Sequence, residues 1–169
     1  YNTYINGDGA KISGVEITGK TAFTFLPGFL SGFGVDANYT YQKAKNVKLY
    51  SQLDGSPLPF PGLSSDSANL TLWYDKGPIN ARLAYNYRTK YLVSAADNSG
   101  QPVYRDATGY LDGKVTWKPE QLFGVRNISF FVEGKNLTKE EERSTAGDIR
   151  LTELGYFGRR FFVGMGLKF

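Results

Sequence analysis

Cysteine and histidine are both absent from the 169 residues, and methionine occurs once. Their absence excludes a disulfide, a thiolate metal site and a cysteine nucleophile, and removes the commonest general base and metal ligand. Also missing is any apolar run near the roughly 20 residues that a spanning helix needs. That absence speaks only of helices, because barrel strands cross a bilayer with a weaker signal, alternation over roughly 10 residues. Lys and Arg outnumber Asp and Glu by 20 to 16, but they are scattered rather than clustered, so no nucleic-acid partner is expected.

What the chain does have is rings on a polar background. It carries 12 Tyr, 12 Phe and 20 Gly, yet its mean hydropathy is −0.36. A soluble core this aromatic would be expected to hold more Leu, Ile and Val around the rings. The rings are instead distributed by parity. In INARLAYNYRTKY, Ile79, Ala81, Leu83, Tyr85 and Tyr87 oppose Asn80, Arg82, Asn86, Arg88 and Lys90. GVEITGKTAFTF, VDANYTYQ, YLDGKVTWK and NISFFVEGK repeat the alternation, and no helical period of useful length competes with it. The tail GRRFFVGMGLKF sets Phe161, Val163, Met165, Leu167 and Phe169 on one side. These are strands with one apolar and one polar face.

All seven prolines lie between the alternating segments, as their missing N–H requires. The connections are of two kinds. LPGFLSG, DKGP and KPEQLFG are compact turns, whereas 44–66, 93–107 and 139–155 are long and polar. Short and long take turns along the chain, which a sandwich does not explain. An outer-membrane barrel does, with tight periplasmic turns at one end and long extracellular loops at the other. Lipid would then cover the apolar face, and the polar face would line a lumen. Tyr39, Tyr41, Tyr85, Tyr87 and Tyr91 fall toward the long loops, while Phe23, Phe25, Trp73, Tyr74 and Trp117 fall toward the short turns. Both groups suit interfacial girdles.

Six pieces carry a resemblance: YINGDGAKISGVEI, LPGFLSGFGVDANYTYQ, PLPFPGLSSDSANLTLWYDKGPINARLAYNYRTKYL, TGYLDGKVTWK, FFVEGKNLTKEE and GRRFFVGMGLKF. In this order, and with loops of the right kind between them, the chain resembles the carboxy-terminal part of a TonB-dependent receptor. YNYRTKYL looks closest to the oligosaccharide-uptake group, and siderophore receptors share much of the rest. The resemblance implies an all-β, antiparallel up-and-down transmembrane barrel of about 22 strands closed around an amino-terminal plug. Residues 1–169 would supply about seven or eight of those strands, as the carboxy-terminal part of the barrel domain. The plug domain, the earlier strands and the TonB-contacting box would lie in sequence not present here.

It further implies import of a bulky organic solute, oligosaccharide or siderophore-like, energised by the TonB complex. Expected partners are outer-membrane lipid and lipopolysaccharide, the plug and remaining strands, TonB acting through the plug, and the barrel-assembly machinery. That machinery would read the terminal strand, Phe161 to Phe169, at the periplasmic rim. No cofactor and no enzymatic activity are expected, since no nucleophile motif or acid–base spacing is found.

On the lumen parity, Arg82, Arg88, Lys90, Asp112, Lys114, Glu133 and Lys135 are candidates for contact with solute or plug, or for pairing among themselves. In the long loops, Tyr50, Asp54, Phe60, Ser64, Tyr104, Arg105 and Asp106 are candidates for solute contact, an aromatic beside polar groups being able to stack on a sugar ring. Lys139–Arg143, KEEER, reads as solvated loop, and Arg159 as a contact for lipid phosphate. Two alternatives stand beside the transporter. One is a self-contained small barrel of structural or adhesive role, its first and last strands paired. The other is a soluble, secreted carbohydrate-binding sandwich, with a second layer over the apolar face.

Overall fold

The computed structural model describes residues 9–147 and 149–168. Seven long strands form one antiparallel sheet: β1 (Lys11–Ala22), β2 (Phe33–Lys45), β3 (Asp66–Lys76), β4 (Ile79–Arg88), β7 (Thr108–Trp117), β10 (Ile128–Lys135) and β13 (Arg160–Leu167), neighbouring in that order. Each pair is consecutive along the chain once the loops are set aside, which is the up-and-down order expected. Its edges are β1 and β13, which do not pair with each other.

The turns between these strands are set by local chemistry. Between β3 and β4, Lys76 faces Ile79 across Gly77 and Pro78, with Gly77 at a φ of 61°. A positive φ followed by the negative φ of proline matches the twist of a tight hairpin. Between β1 and β2, Gly28–Gly32 makes a short 3-10 turn, and Lys76 Nζ donates to the Gly28 carbonyl (2.5 Å) and Ser31 Oγ (2.7 Å) at its side. The third short connection, read as a compact turn, is itself a small hairpin of β8 (Gln121–Leu122) and β9 (Val125–Arg126).

Register carries the apolar parity across the sheet. Leu72 faces Val35 and Leu83, Ala81 faces Val115, Val115 faces Val132, and Val132 faces Val163. Because side chains alternate with a period of two, one such row fixes the whole face. That face is bare. Leu83, Val132 and Met165 are 42%, 53% and 63% exposed, so no second layer of the described residues covers them, as a sandwich would require.

Burial occurs elsewhere. Among the described residues the buried apolar side chains are Leu58, Leu92 and Ala146, all at the long-loop end. Leu92 and Ala146 belong to a second, four-stranded sheet, the cap, of β12 (Arg150–Tyr156), β11 (Glu141–Ala146), β6 (Val103–Arg105) and β5 (Tyr91–Ser94), in that order, and Leu58 lies in the first long loop. This corrects the reading of 93–107 and 139–155 as plain loops, and of KEEER as solvated. Their short strands pair across sequence, Ser144 with Arg105 and Thr145 with Tyr104, and neither segment shows this alone. The first long loop joins the cap through the Gly62 amide, which donates to the Leu92 carbonyl (2.8 Å).

Candidate functional site

The polar face shows two linked concavities. Nearer the cap is a cavity of about 450 Å³, bounded by Gln42 of β2, Asn69 of β3, Asn86 and Arg88 of β4, Tyr91 of β5, Arg105 of β6, Tyr110 of β7 and Glu142 of β11. Alternation places the strand members: Asn69 faces Asn86, and Asn86 faces Tyr110. Amides, phenols, two guanidiniums and a carboxylate converge here, so that the wall offers both donors and acceptors. Such a lining suits a polar, hydroxyl-rich or anionic group.

Below it, a cavity of about 310 Å³ is bounded by Arg82, Asp112, Lys114, Glu133 and Lys135, with Thr71 and Asn86. Here the candidate charges meet one another. Lys135 Nζ lies 3.1 Å from both Asp112 Oδ2 and Glu133 Oε1, and Lys114 Nζ lies 3.3 Å from Glu133 Oε2. Lys114 also stands 4.4 Å above the Phe131 ring, an aromatic on the polar parity. Asp112 Oδ1 accepts the Asn136 amide (2.9 Å). Arg82 lies beside Trp73 and Lys114 in register.

Arg88 is a strut. Its Nε donates to Ser64 Oγ (2.8 Å) and its Nη2 to the Gly62 carbonyl (3.1 Å), while the guanidinium carbon sits 3.9 Å from the Tyr91 ring centre. Ser64 is buried and in turn donates to the Thr89 carbonyl (2.9 Å). Together these bonds tie the first long loop to the end of β4. Lys90 falls beyond that strand end, with Nζ 4.9 Å from the Tyr104 ring centre, so it joins the cap rather than the wall.

Arg105 holds the cap carboxylate that meets the wall. It pairs with Glu142, and with Glu153 at 2.7 Å, and Tyr110 of the main sheet donates to the other Glu142 oxygen (2.7 Å). The Arg105 side chain is only 15% exposed, but Glu142 is 34% and Glu153 60% exposed, so the Glu142 pair is partly shielded and the Glu153 pair is open to water. Tyr110 and Glu142 were not among the sequence candidates. Tyr110 shares parity with Asp112 and Lys114, which could have marked it, but Glu142 is marked only by the pairing of β6 with β11.

The remaining loop candidates are spread apart. Tyr50 is exposed and bridges to Pro57. Asp54 accepts the Ser56 amide (3.1 Å) and hydroxyl (2.8 Å), and hydrogen bonds from Ser51 and then Ser56 hold its carboxyl below the usual carboxylate range. Phe60 accepts the Leu63 amide through its carbonyl (3.3 Å), and the Asp106 amide donates to the Arg143 carbonyl (2.9 Å). None of these borders the 450 Å³ cavity, whereas Ser64, Arg88 and Arg105 do.

On the apolar face Phe161, Val163, Met165 and Leu167 are exposed as the parity requires, and Phe169 lies outside the described residues. Trp73 corrects the girdle assignment: it pairs with Arg82 and Gly34 on the polar face, where its indole Nε1 is buried without a hydrogen-bond partner among the described residues. Arg159 donates through Nε to the Leu137 carbonyl (2.8 Å). No group of acidic residues among those described could hold a metal ion.

Comparison with known proteins agrees with this geometry. Hemoglobin-binding protein A of Haemophilus influenzae is 24% identical over 134 residues, which is 79% of this chain and 12% of that protein. Probable hemoglobin and hemoglobin-haptoglobin-binding protein 4 of Haemophilus influenzae is 27% identical over 136 residues, again 79% of this chain and 12% of that protein. The chain thus spans about an eighth of the length of these curated relatives. No solved structure matches significantly. The family model described as "TonB dependent receptor-like, beta-barrel", a family of outer-membrane transporters and receptors rather than enzymes, matches residues 1–137. An open sheet with an apolar outer face, a polar inner face and alternating short and long connections is what a wall of such a barrel must be, and the chain belongs to the TonB-dependent receptor β-barrel family.

Proposed function

We propose that this chain forms the carboxy-terminal wall of a plugged outer-membrane transporter that imports a bulky polar solute with energy delivered through TonB. The observation that carries the reading is the bare apolar face of a seven-stranded sheet opposite a charged and amide-rich one. In lipid each unpaired backbone group costs several kcal/mol, so the β1 and β13 edges require strands beyond this sequence. The cap and long loops face outward, and the short turns and the end of β13 lie at the periplasmic rim. There the terminal strand, with its apolar row from Phe161 to Leu167, is available to assembly machinery.

The plug lies against the polar face, and the 450 Å³ cavity beneath the cap receives part of the solute. Its amides and phenols favour a polyhydroxylated or polar ligand, as an oligosaccharide or siderophore-like compound would present. A small self-contained barrel is disfavoured because β1 and β13 stand at opposite ends of the sheet. A second reading, capture of haem or of a haem protein, is favoured by the two relatives named for binding hemoglobin.

Uptake by the full-length receptor in cells with and without TonB tests the transport step, with oligosaccharide, siderophore and hemoglobin offered separately. Asn86→Ala removes a cavity amide without touching the loop strut, so it should lower uptake at equal barrel abundance. Arg88→Ala should lower it further by releasing the first loop. Unchanged uptake in both variants at equal abundance rejects the cavity as a solute contact.

A further inference from the structure

We propose that Asn69 and Asn86, with Ser67 beside them, seat one uncharged sugar ring on the wall, so that the cavity beneath the cap selects neutral glycans over anionic solutes. Register sets the amides level with one another: Asn38 of β2 faces Asn69 of β3, which faces Asn86 of β4. Asparagine is depleted in strands, so three at one level on three neighbouring strands ask for a reason. Asn38 has one within the fold, since its Nδ2 donates to Glu16 Oε1 (2.5 Å) and Thr18 Oγ1 (2.9 Å). Asn69 and Asn86 have none there. Both are exposed, and neither their side chains nor that of Ser67 makes a hydrogen bond among the described residues.

The other groups around the cavity are already engaged. Arg88 commits Nε and Nη2 to Ser64 and Gly62 and turns its face to the Tyr91 ring. Arg105 binds Glu142 and Glu153, and Tyr110 donates to Glu142. Two guanidiniums against two carboxylates leave no net charge at this level. The Gln42 amide donates to the Ser64 carbonyl (3.1 Å). What the wall still offers is neutral: the carboxamides of Asn69 and Asn86 and the hydroxyl of Ser67.

Those groups match a sugar. A carboxamide presents donor and acceptor side by side, and each sugar hydroxyl is both, so one amide can bridge two adjacent hydroxyls. Residues opposite each other on neighbouring strands stand about 5 Å apart at Cβ, which lets Asn69 and Asn86 hold one ring between them. A carboxylate, phosphate or haem propionate would meet amide oxygens and the Glu142 carboxylate, with both guanidiniums already engaged. Desolvating a charge there costs far more than desolvating a hydroxyl. The inference deepens the reading of this cavity as a solute contact and rests on it.

The experiment is isothermal titration of the folded full-length receptor in detergent with neutral malto-, xylo-, manno- and galacto-oligosaccharides, and with oligogalacturonate and hemin in parallel. The expected result is binding of a neutral oligosaccharide that added salt does not weaken, as screening touches only charged partners. Asn69→Asp and Asn86→Asp keep the shape but replace a donor by an acceptor, and each should weaken that oligosaccharide about tenfold. Asn80→Asp, the same change on the same face of β4 but outside the cavity, should not. Ser67→Ala should weaken it about threefold and stands in for either Asp variant that fails to fold. Binding of no neutral oligosaccharide, or equal binding by the unmodified receptor and both Asp variants, overturns the proposal. Hemin or oligogalacturonate binding that the Asp variants alter, with no neutral oligosaccharide bound, overturns the sugar seat yet leaves the cavity a solute contact. Every probe unchanged in every variant rejects the cavity itself.

Discussion

The indole of Trp73 lies directly over Gly34, so that a Cβ added to Gly34 would overlap its Cζ2, Cε2 and Cη2 atoms. The two residues face each other across β2 and β3. A bare glycine gives the large ring a flat bed on a face otherwise built for polar side chains, and ring and glycine settle the local register together.

Gly34→Ala should therefore lift the Trp73 ring and cost about 1–3 kcal/mol, the usual price of overpacking. Gly19→Ala, where an added Cβ meets nothing within 4 Å, should be close to neutral. Thermal unfolding of the full-length receptor, followed by tryptophan fluorescence, compares them. Equal midpoints for the two variants would sink the idea.

Arg105 pairs with Glu142 and Glu153 of the cap hairpin, and Glu142 in turn accepts from Tyr110 of the wall. Arg105→Gln should loosen the cap by about 1.5–3 kcal/mol, the worth of charge-assisted hydrogen bonds. Amide exchange in β6 and β11 should then quicken about tenfold or more, with β3 and β4 unchanged. Uniform acceleration through both sheets would mean that Arg105 supports the wall itself.

Lys135 stands between Asp112 and Glu133 at 3.1 Å from each, but is 39% exposed. Solvent limits such pairs, so Lys135→Met should cost only about 1 kcal/mol. A double-mutant cycle with Asp112→Asn should give a coupling that shrinks as salt is added. Strict additivity at low salt contradicts the pairing.

Asp54 offers a pH test outside the membrane-spanning strands. Its carboxyl is held below the usual range by Ser51 and Ser56, so it binds protons less readily folded than unfolded. The support it gives the loop is thus present above the unfolded value of about 3.9 and is lost as pH falls through the lower folded value. The Ser56 amide resonance should shift with a midpoint below that of a free aspartate. A midpoint at or above it would show that these hydrogen bonds do not form.

The sequence determined six of the seven wall strands, their two faces and most of the places where they turn, the strand over Asp66–Lys76 being the exception. A period of two is a local property, and proline and glycine mark hairpins through their own φ preferences. It also brought most of the charged wall into view, because Asp112 and Lys114 share a parity on β7 as Glu133 and Lys135 do on β10. What parity cannot supply is which distant segments meet. The cap sheet joins β6 to β11 across separate loops, and so turned KEEER from solvated loop into a strand holding Arg105 and Tyr110. Trp73 was misread for a different reason: residue type suggested lipid, although it alternates with Leu72 and Tyr74 and so falls on the polar side, over Gly34. Gly113 and Gly134 are likewise unremarkable in the chain, and only the pairing of β7 with β10 brings them to one level, beneath the Leu137 side chain.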